Sequence, residues 1–238
     1  MRYTEESKIL QKCFNQNTEQ SDIPELHLRI QNLTFSASDY FSLPGVSKGI
    51  IEKELSGGLM TAGTAVNYKN PRLNEIFNAP DALIAENNIF KYILLTNPDK
   101  QVYDELILLF HGLNEKSWAK YLTWASVLHK KTGKAVILFP ITFHMNRCPE
   151  TWSNRRLMNE VSIERKSLFP GLTESSFANA AISTRLTFRP QRFFFSGFQT
   201  YYDLMKLLGD IRQGKLPFVK ADAQIDIFSY SIGAFLSE

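Results

Sequence analysis

The segment that decides the fold is Gln224-Ile-Asp-Ile-Phe-Ser-Tyr-Ser-Ile-Gly-Ala-Phe-Leu-Ser-Glu238. It begins as an apolar run, passes through small residues around Ser231, and becomes apolar again after Ala234. This pattern predicts a strand that turns sharply into a helix, with Ser231 at the tip of the turn. Ser229 and Gly233 flank the tip two positions away, and small residues there allow backbone to approach backbone closely.

The turn has the spacing of a G-x-S-x-G sequence whose first glycine is replaced by Ser229. In such a turn the central serine is held above the end of a strand, where its hydroxyl is displayed as a nucleophile. A loose match also arises by chance, so an ordinary strand-to-helix turn is the alternative. The apolar strand before Ser231 and the apolar helix start after it favour the nucleophile.

A strand–helix–strand unit lies upstream of this turn. Residues 90–96, 105–110 and 135–139 predict strands, and the unbroken apolar runs in the last two indicate burial on both faces. Between the strands at 105–110 and 135–139, Ser117 is a suitable helix N-cap and Gly133 a suitable helix end. Crossovers of this kind build parallel sheets.

A second unit consists of a helix with an apolar face over 198–211 and a strand over 225–230. Two such units need about sixty to seventy residues from His111 to the turn, but 120 positions separate His111 from Ser231. The surplus falls in 142–190, at the edge where open α/β sheets bind ligands. This insertion is a candidate lid, with a surface excursion as the alternative.

Two motifs carry a resemblance to a known family: Ser229-x-Ser231-x-Gly233 and Phe110-His111-Gly112-Leu113. With the order of strands and helices around them, residues 88–238 resemble a bacterial branch of the α/β-hydrolase superfamily. The resemblance implies an α/β fold with a mostly parallel sheet and helices on both faces.

The resemblance also implies roles for individual residues. The Ser231 hydroxyl would attack an acyl carbonyl, and the backbone N–H groups of Leu113 and Ile232 would form the oxyanion hole. His111 would be a structural residue of its loop. No metal or organic cofactor is implied, and the partner would be a small acyl substrate.

The family pattern places the acid and then the histidine base after the nucleophile, whereas all four histidines of this chain precede Ser231. His144 follows a core strand at the ligand-binding edge and is a candidate for a substrate contact or a non-standard base, with an ordinary loop histidine as the alternative. Arg147 is a candidate for binding a substrate carboxylate or phosphate, with a lone surface arginine as the alternative.

We therefore expect one α/β-hydrolase-like domain over 1–238 that is C-terminally incomplete, truncated after the nucleophile strand. Residues 1–87 would be an N-terminal extension, 88–141 and 191–238 the core, and 142–190 the insertion. The last strand would be an exposed apolar edge that favours self-association. The 238-residue chain alone would be nearly inactive.

Composition narrows the class of partner. A formal charge of +3 with both signs interspersed gives no basic stripe for nucleic acid. No apolar run has the length of a membrane span or a secretory signal. Cys13 and Cys148 do not have metal-site spacing, so no metal site is expected, and the cytoplasm is the expected compartment.

Three functions are consistent with the sequence. The first is a serine hydrolase acting on an ester or related acyl bond, with acid and base from residues absent here. The second is a non-catalytic α/β-hydrolase-like binding or interaction module that keeps the turn as architecture. The third, an unrelated α/β protein that binds a phosphorylated ligand, lacks support because no glycine-rich phosphate loop opens either helix.

Overall fold

In this computed structural model the described residues are 2–38, 68–77, 81, 84–186 and 190–237. Residues 39–67, in the middle of the predicted N-terminal extension, lie outside the described part of the chain. The described strands are β1 (Gln20–Ile23), β2 (Leu28–Ser36), β3 (Ile89–Thr96), β4 (Tyr103–Phe110), β5 (Ala135–Leu138) and β6 (Val219–Ser229). The described α-helices are α1 (Tyr3–Cys13), α2 (Pro71–Phe77), α3 (Ala85–Asn88), α4 (Ala119–Thr132), α5 (Arg155–Leu168), α6 (Phe177–Leu186), α7 (Pro190–Arg212) and α8 (Ile232–Ser237).

The strands form one open sheet in the order β1-β2-β3-β5-β4-β6. β4 is parallel to both β5 and β6, whereas the pairs β1–β2, β2–β3 and β3–β5 are antiparallel. The predicted α/β class is confirmed. The sheet is mixed rather than mostly parallel. Two strands of the expected N-terminal extension, β1 and β2, join it antiparallel, and β3 of the predicted core pairs antiparallel with β5.

The centre of the parallel part is β4. From β4 the chain runs through α4 to β5 on one side, and it returns through α7 to β6 on the other side. The strand order therefore reverses at β4. In open α/β sheets the crevice beyond the carboxyl ends of the strands at such a reversal is the usual ligand-binding position.

The two faces of the sheet are covered by different helices. Ile107 and Leu109 of β4 pack in a cluster with α1 and α4. Leu106 and Leu108 pack in a second cluster with α7. Because successive side chains of a strand point to opposite faces, these uninterrupted apolar runs are buried on both sides, as predicted for β4 and β5.

Within residues 2–38, β1 and β2 are strands of the sheet itself and not an extension packed on it. β2 pairs along its whole length with β3, and its burial alternates from Leu28 to Ile30 to Asn32. Asn32 is buried because its side-chain amide donates to the carbonyl oxygens of Asn15 at 3.0 Å and Thr18 at 2.7 Å. Because Asn32 is polar and occupies a buried position, β2 does not show the alternation of apolar and polar residues by which a strand is predicted from sequence.

The predicted insertion, 142–190, has an apolar cluster separate from the two clusters of the sheet. Trp152, Met158 and Val161 are buried in it together with Leu73 and Phe77 of α2. The insertion therefore packs on a segment that precedes β3 in sequence. Whether it moves as a lid stays a prediction.

The apolar residues of α7 serve two different surfaces. Ile211 of the predicted apolar face is buried against the sheet, together with Leu207, which the predicted face did not include. Tyr201 and Met205, which the sequence pattern placed on the same face, are 53% and 50% exposed. The first half of α7 therefore presents apolar side chains away from the sheet.

Candidate functional site

The predicted strand-to-helix turn is present at Ser231. β6 ends at Ser229 and α8 begins at Ile232. Between them Ser231 is exposed and adopts φ 57°, in the left-handed region that non-glycine residues rarely occupy. The turn thus holds a serine hydroxyl in a strained, solvent-accessible position at the carboxyl end of a strand.

Strained backbone is concentrated at this edge. Of the six non-glycine residues with positive φ in the described chain, four lie there. They are Asn114 after β4, Phe143 and Met145 after β5, and Ser231 after β6. Strain of this kind persists only where the surrounding structure over-determines it, and it is frequent at functional sites.

The turn packs directly against the loop that follows β4. The N–H of Tyr230 donates to the carbonyl oxygen of Phe110 at 3.2 Å. A β-carbon built on Gly233 would lie 2.9 Å from the carbonyl oxygen of His111, and one on Gly112 would lie 3.0 Å from the ring of Tyr230. Glycine is therefore required at 233 by close approach, which explains the last glycine of the motif.

Two backbone donors at this contact have no acceptor within the described residues. They are the N–H groups of Leu113 and Ile232. The neighbouring Gly112 N–H is engaged, because it donates to the hydroxyl of Tyr121 at 2.8 Å. That hydroxyl in turn donates to Glu115 Oε1 at 2.9 Å. The loop is thus held by Tyr121 while leaving the N–H of Leu113 available.

His111 has both ring nitrogens engaged. Its Nε2 accepts from the N–H of Ile141 at 2.9 Å, and its Nδ1 donates to the carbonyl oxygen of Gly112 at 2.8 Å. Burial lowers the pKa of this ring to about 4, with weaker upward contributions from the Gly112 carbonyl and Glu115. His111 is a neutral residue that joins the loops after β4 and β5.

His144 is buried beside His111. The two ring centroids are 5.4 Å apart, and His144 Nδ1 donates to the carbonyl oxygen of Thr142 at 2.9 Å. Its exposure is only 2%. His144 therefore lies at the predicted edge, but in the packed layer beneath the loops and not on an open pocket wall.

Arg147 is not the surface residue that the sequence suggested. It is fully buried, and its Nη2 lies 2.5 Å from Asp203 Oδ2 of α7. Further bonds run to Asn87 Oδ1 and to the carbonyl oxygen of Pro140, both at 3.1 Å. Burial lowers the pKa of the guanidinium to about 10 against the opposing effect of Asp203. The carboxylate that Arg147 binds is an internal one.

A second buried arginine–aspartate pair was missed by sequence reasoning. Arg192 Nε lies 2.8 Å from Asp81 Oδ1, and its Nη1 donates to the carbonyl oxygen of Thr184 at 2.7 Å. The guanidinium lies 4.3 Å from the ring centre of Trp152. The pair ties the start of α7 to residue 81, and the contacts with Thr184 and Trp152 tie it to the insertion. No local pattern in the sequence indicates the pair.

The remaining histidines lie at the opposite edge of the sheet. His129 is near the end of α4, just before β5 begins. The neighbouring Lys130 and Lys131 predict a solvated position for it. It is nevertheless buried, and its Nδ1 donates to the Lys134 carbonyl oxygen at 2.6 Å. Burial lowers its pKa. His27 precedes β2, whose first residues pair with the end of β3 at that same edge.

An apolar groove of about 510 Å³ opens beside the turn, between α7 and α8. Ile232 and Phe235 form part of one wall. Phe194, Phe198 and Tyr201 are on the other, with the rings of Phe194 and Phe198 4.4 Å apart. The aromatic cluster at 193–195 and 198 is the sequence signal for this surface; of its members, the predicted apolar face of the helix includes only residue 198.

The described residues contain no group of three or more His, Cys, Asp or Glu side chains that could hold a metal ion. Both cysteines are free, Cys13 exposed and Cys148 buried. None of the helices in the described ranges is long and apolar enough to cross a bilayer.

Comparison with known proteins gives a family without an assigned activity. A sequence profile described as a family of unknown function (DUF6051) matches residues 1–238, so the chain belongs to that family. No curated protein and no solved structure matches the chain. Its function has to be argued from the geometry of the site.

Proposed function

We propose that this member of the DUF6051 family is a serine hydrolase of the α/β-hydrolase type that acts on an ester or related acyl bond. The observation that carries the proposal is the backbone of Ser231. Ser231, with φ 57°, lies between β6 and α8, and the turn packs against the loop that follows β4. A sharp strand-to-helix turn of this kind exposes a nucleophile above a sheet.

In the proposed reaction, Ser231 Oγ forms a bond to the acyl carbonyl carbon as a base accepts the hydroxyl proton. The N–H groups of Leu113 and Ile232 donate to the oxygen on which negative charge develops. Each such donor is worth about 10²–10³ in rate. The alcohol or amine leaves with the proton returned by the base, and water then releases the acyl group.

The base and acid of the proposed reaction are expected from residues that are absent from this sequence. His111 has both nitrogens engaged, and His27 and His129 lie at the far edge of the sheet. His144 lies at the correct edge but is buried. The positions of these four histidines also favour the second candidate, a binding module that keeps the turn at Ser231 but has no catalytic activity.

Labelling with a fluorophosphonate probe separates the two candidates. In a protein that contains the acid and base together with this chain, the probe should modify Ser231, identified by mass spectrometry of the labelled peptide, and the Ser231→Ala variant should lose the label. Ser229→Ala is the matched control and should label normally. Label that persists in Ser231→Ala refutes the nucleophile. Absence of label from the native protein favours the binding module.

A further inference from the structure

The groove between α7 and α8 has the chemistry of a site for an apolar chain. Phe193, Phe194 and Phe235 are 38%, 58% and 70% exposed, although such rings are normally buried. Among the described residues that line the groove, none is charged. Its one aliphatic hydroxyl, that of Ser196, donates to the carbonyl oxygen of Thr142 at 2.9 Å and is 7% exposed.

The groove is continuous with the proposed oxyanion hole. Ile232, whose N–H is one of the two proposed donors, belongs to the groove wall through its side chain. The same short helix supplies Phe235, whose ring faces that of Phe193 with centroids 6.4 Å apart. A carbonyl group held at the N–H of Ile232 would therefore have its apolar substituent beside this aromatic surface.

We infer that this groove binds the acyl chain of the substrate, and that the chain is an uncharged alkyl group of medium length. The inference rests on the proposed function for the identity of the ligand as an acyl group. Its geometric basis is independent: an open, uncharged, aromatic-lined groove of about 510 Å³, within the size range of small-molecule sites, next to a strained serine turn.

Gly197 gives a direct means of closing the groove. It lines the groove in the middle of α7, and a β-carbon added there meets no atom within 4 Å. Gly197→Leu therefore puts a side chain into the groove without a clash at the β-carbon. It also replaces a helix glycine by a better helix former. The same open space surrounds Gly209 of α7, which does not line the groove.

The experiment measures binding of butyrate, hexanoate and octanoate by calorimetry to Ser231→Ala protein, in which hydrolysis plays no part. Each added methylene that enters the groove should tighten binding about fourfold. Gly197→Leu should weaken octanoate binding at least tenfold, whereas Gly209→Leu should leave it unchanged. Phe235→Ala, which removes one exposed wall, should weaken octanoate binding severalfold and serves if Gly197→Leu fails to fold.

The outcomes separate this inference from the proposed function. Chain-length-dependent binding without fluorophosphonate labelling supports the groove and favours the binding module over the hydrolase. Labelling of Ser231 together with binding that ignores chain length overturns the acyl groove and keeps the nucleophile. A dimer in analytical ultracentrifugation that is abolished by Gly197→Leu and unaffected by octanoate would show that a second copy occupies the groove, and would also overturn the inference.

Discussion

Gly233 lies so close to the carbonyl oxygen of His111 that a β-carbon would be 2.9 Å from it, and 2.7 Å from the β-carbon of Phe110. The contact joins the first turn of α8 to the end of β4. The spacing between Ser231 and Gly233 is therefore a packing requirement of this turn, whatever chemistry the serine performs.

Gly233→Ala should destabilise the protein although alanine is the better helix former. The clash should lower the free energy of unfolding by about 1–3 kcal/mol, measured by urea denaturation. Gly209→Ala is the matched control, because its β-carbon has open space, and it should gain about 0.5–1 kcal/mol. Equal effects of the two substitutions would contradict the close approach.

Replacing Ser231 by glycine should stabilise the protein. A non-glycine residue in the left-handed region carries strain of about 1–3 kcal/mol, and the greater freedom of glycine in the unfolded chain offsets part of the gain. We expect a net increase of about 1 kcal/mol in the free energy of unfolding. Ser229→Gly, within β6, should instead lower it by about 0.5–1 kcal/mol. A loss of stability in Ser231→Gly would show that the serine conformation is not strained.

Local patterns predicted those parts of the fold that depend on local sequence. β3, β4, β5 and the start of α8 follow from apolar runs, turn residues and the spacing around Ser231. β2 was missed because Asn32 occupies an inward position and satisfies its amide on the backbone of residues 15 and 18. These hydrogen bonds cannot be predicted from the sequence unless it is known that the two segments are in contact.

The same limit applies to the site. Arg147 and Asp203 are 56 positions apart in the chain, and Arg192 and Asp81 are 111 apart. Nothing in the sequence near either arginine indicates its partner, so Arg147 resembled a free cation available to substrate. The groove was missed for a related reason, since an aromatic stripe on a helix has the same pattern whether it is buried or lines an open surface.

Removing one partner of the buried pair Arg147–Asp203 should lower the free energy of unfolding much more than replacing both partners by apolar residues. Asp203 also accepts from the N–H of Ser38 at 2.7 Å and from Gln199 Nε2 at 3.0 Å. Asp203→Ala leaves a buried charge unpaired and should lower the free energy of unfolding by about 3–5 kcal/mol.

Arg147→Met combined with Asp203→Leu should recover at least half of that loss, because neither charge then remains buried. A double-mutant cycle by urea denaturation measures the coupling. The exposed pair Lys215–Asp210, with nitrogen and oxygen 3.0 Å apart, is the control and should couple by less than about 1 kcal/mol. Comparable coupling in both pairs would contradict the burial of Arg147.

The low pKa of His111 makes stability depend on pH in a defined window. Its folded pKa is about 4 against 6.5 for the unperturbed group, so between these values the unfolded chain binds a proton that the folded chain does not. The free energy of unfolding should therefore fall as pH drops from 6.5 to 4, by about 3 kcal/mol from this residue. The lowered pKa of His129 acts in the same direction.

His111→Gln should flatten this dependence, since the glutamine amide oxygen can accept from the N–H of Ile141 without titrating. Urea denaturation at pH 7, 5.5 and 4 gives the slopes of both proteins. His27→Gln, at an exposed position, is the control for the exchange of histidine for glutamine as such, and its slope should differ from that of the native chain by less than the slope of His111→Gln does. An unchanged slope in His111→Gln would mean that His111 is protonated without cost in the folded protein.

The outer side of β6 should be a site of self-association. Within the described residues β6 pairs only with β4, and Ile227, Phe228 and Tyr230 near its end are 54%, 39% and 46% exposed. An unpaired strand edge with apolar side chains is a template for pairing with another chain. Ile227→Lys should therefore shift sedimentation toward the monomer. Ile163→Lys, on the exposed face of α5 (61% exposed), should not. Equal effects of the two lysines would show that general surface hydrophobicity, and not the strand edge, drives the association.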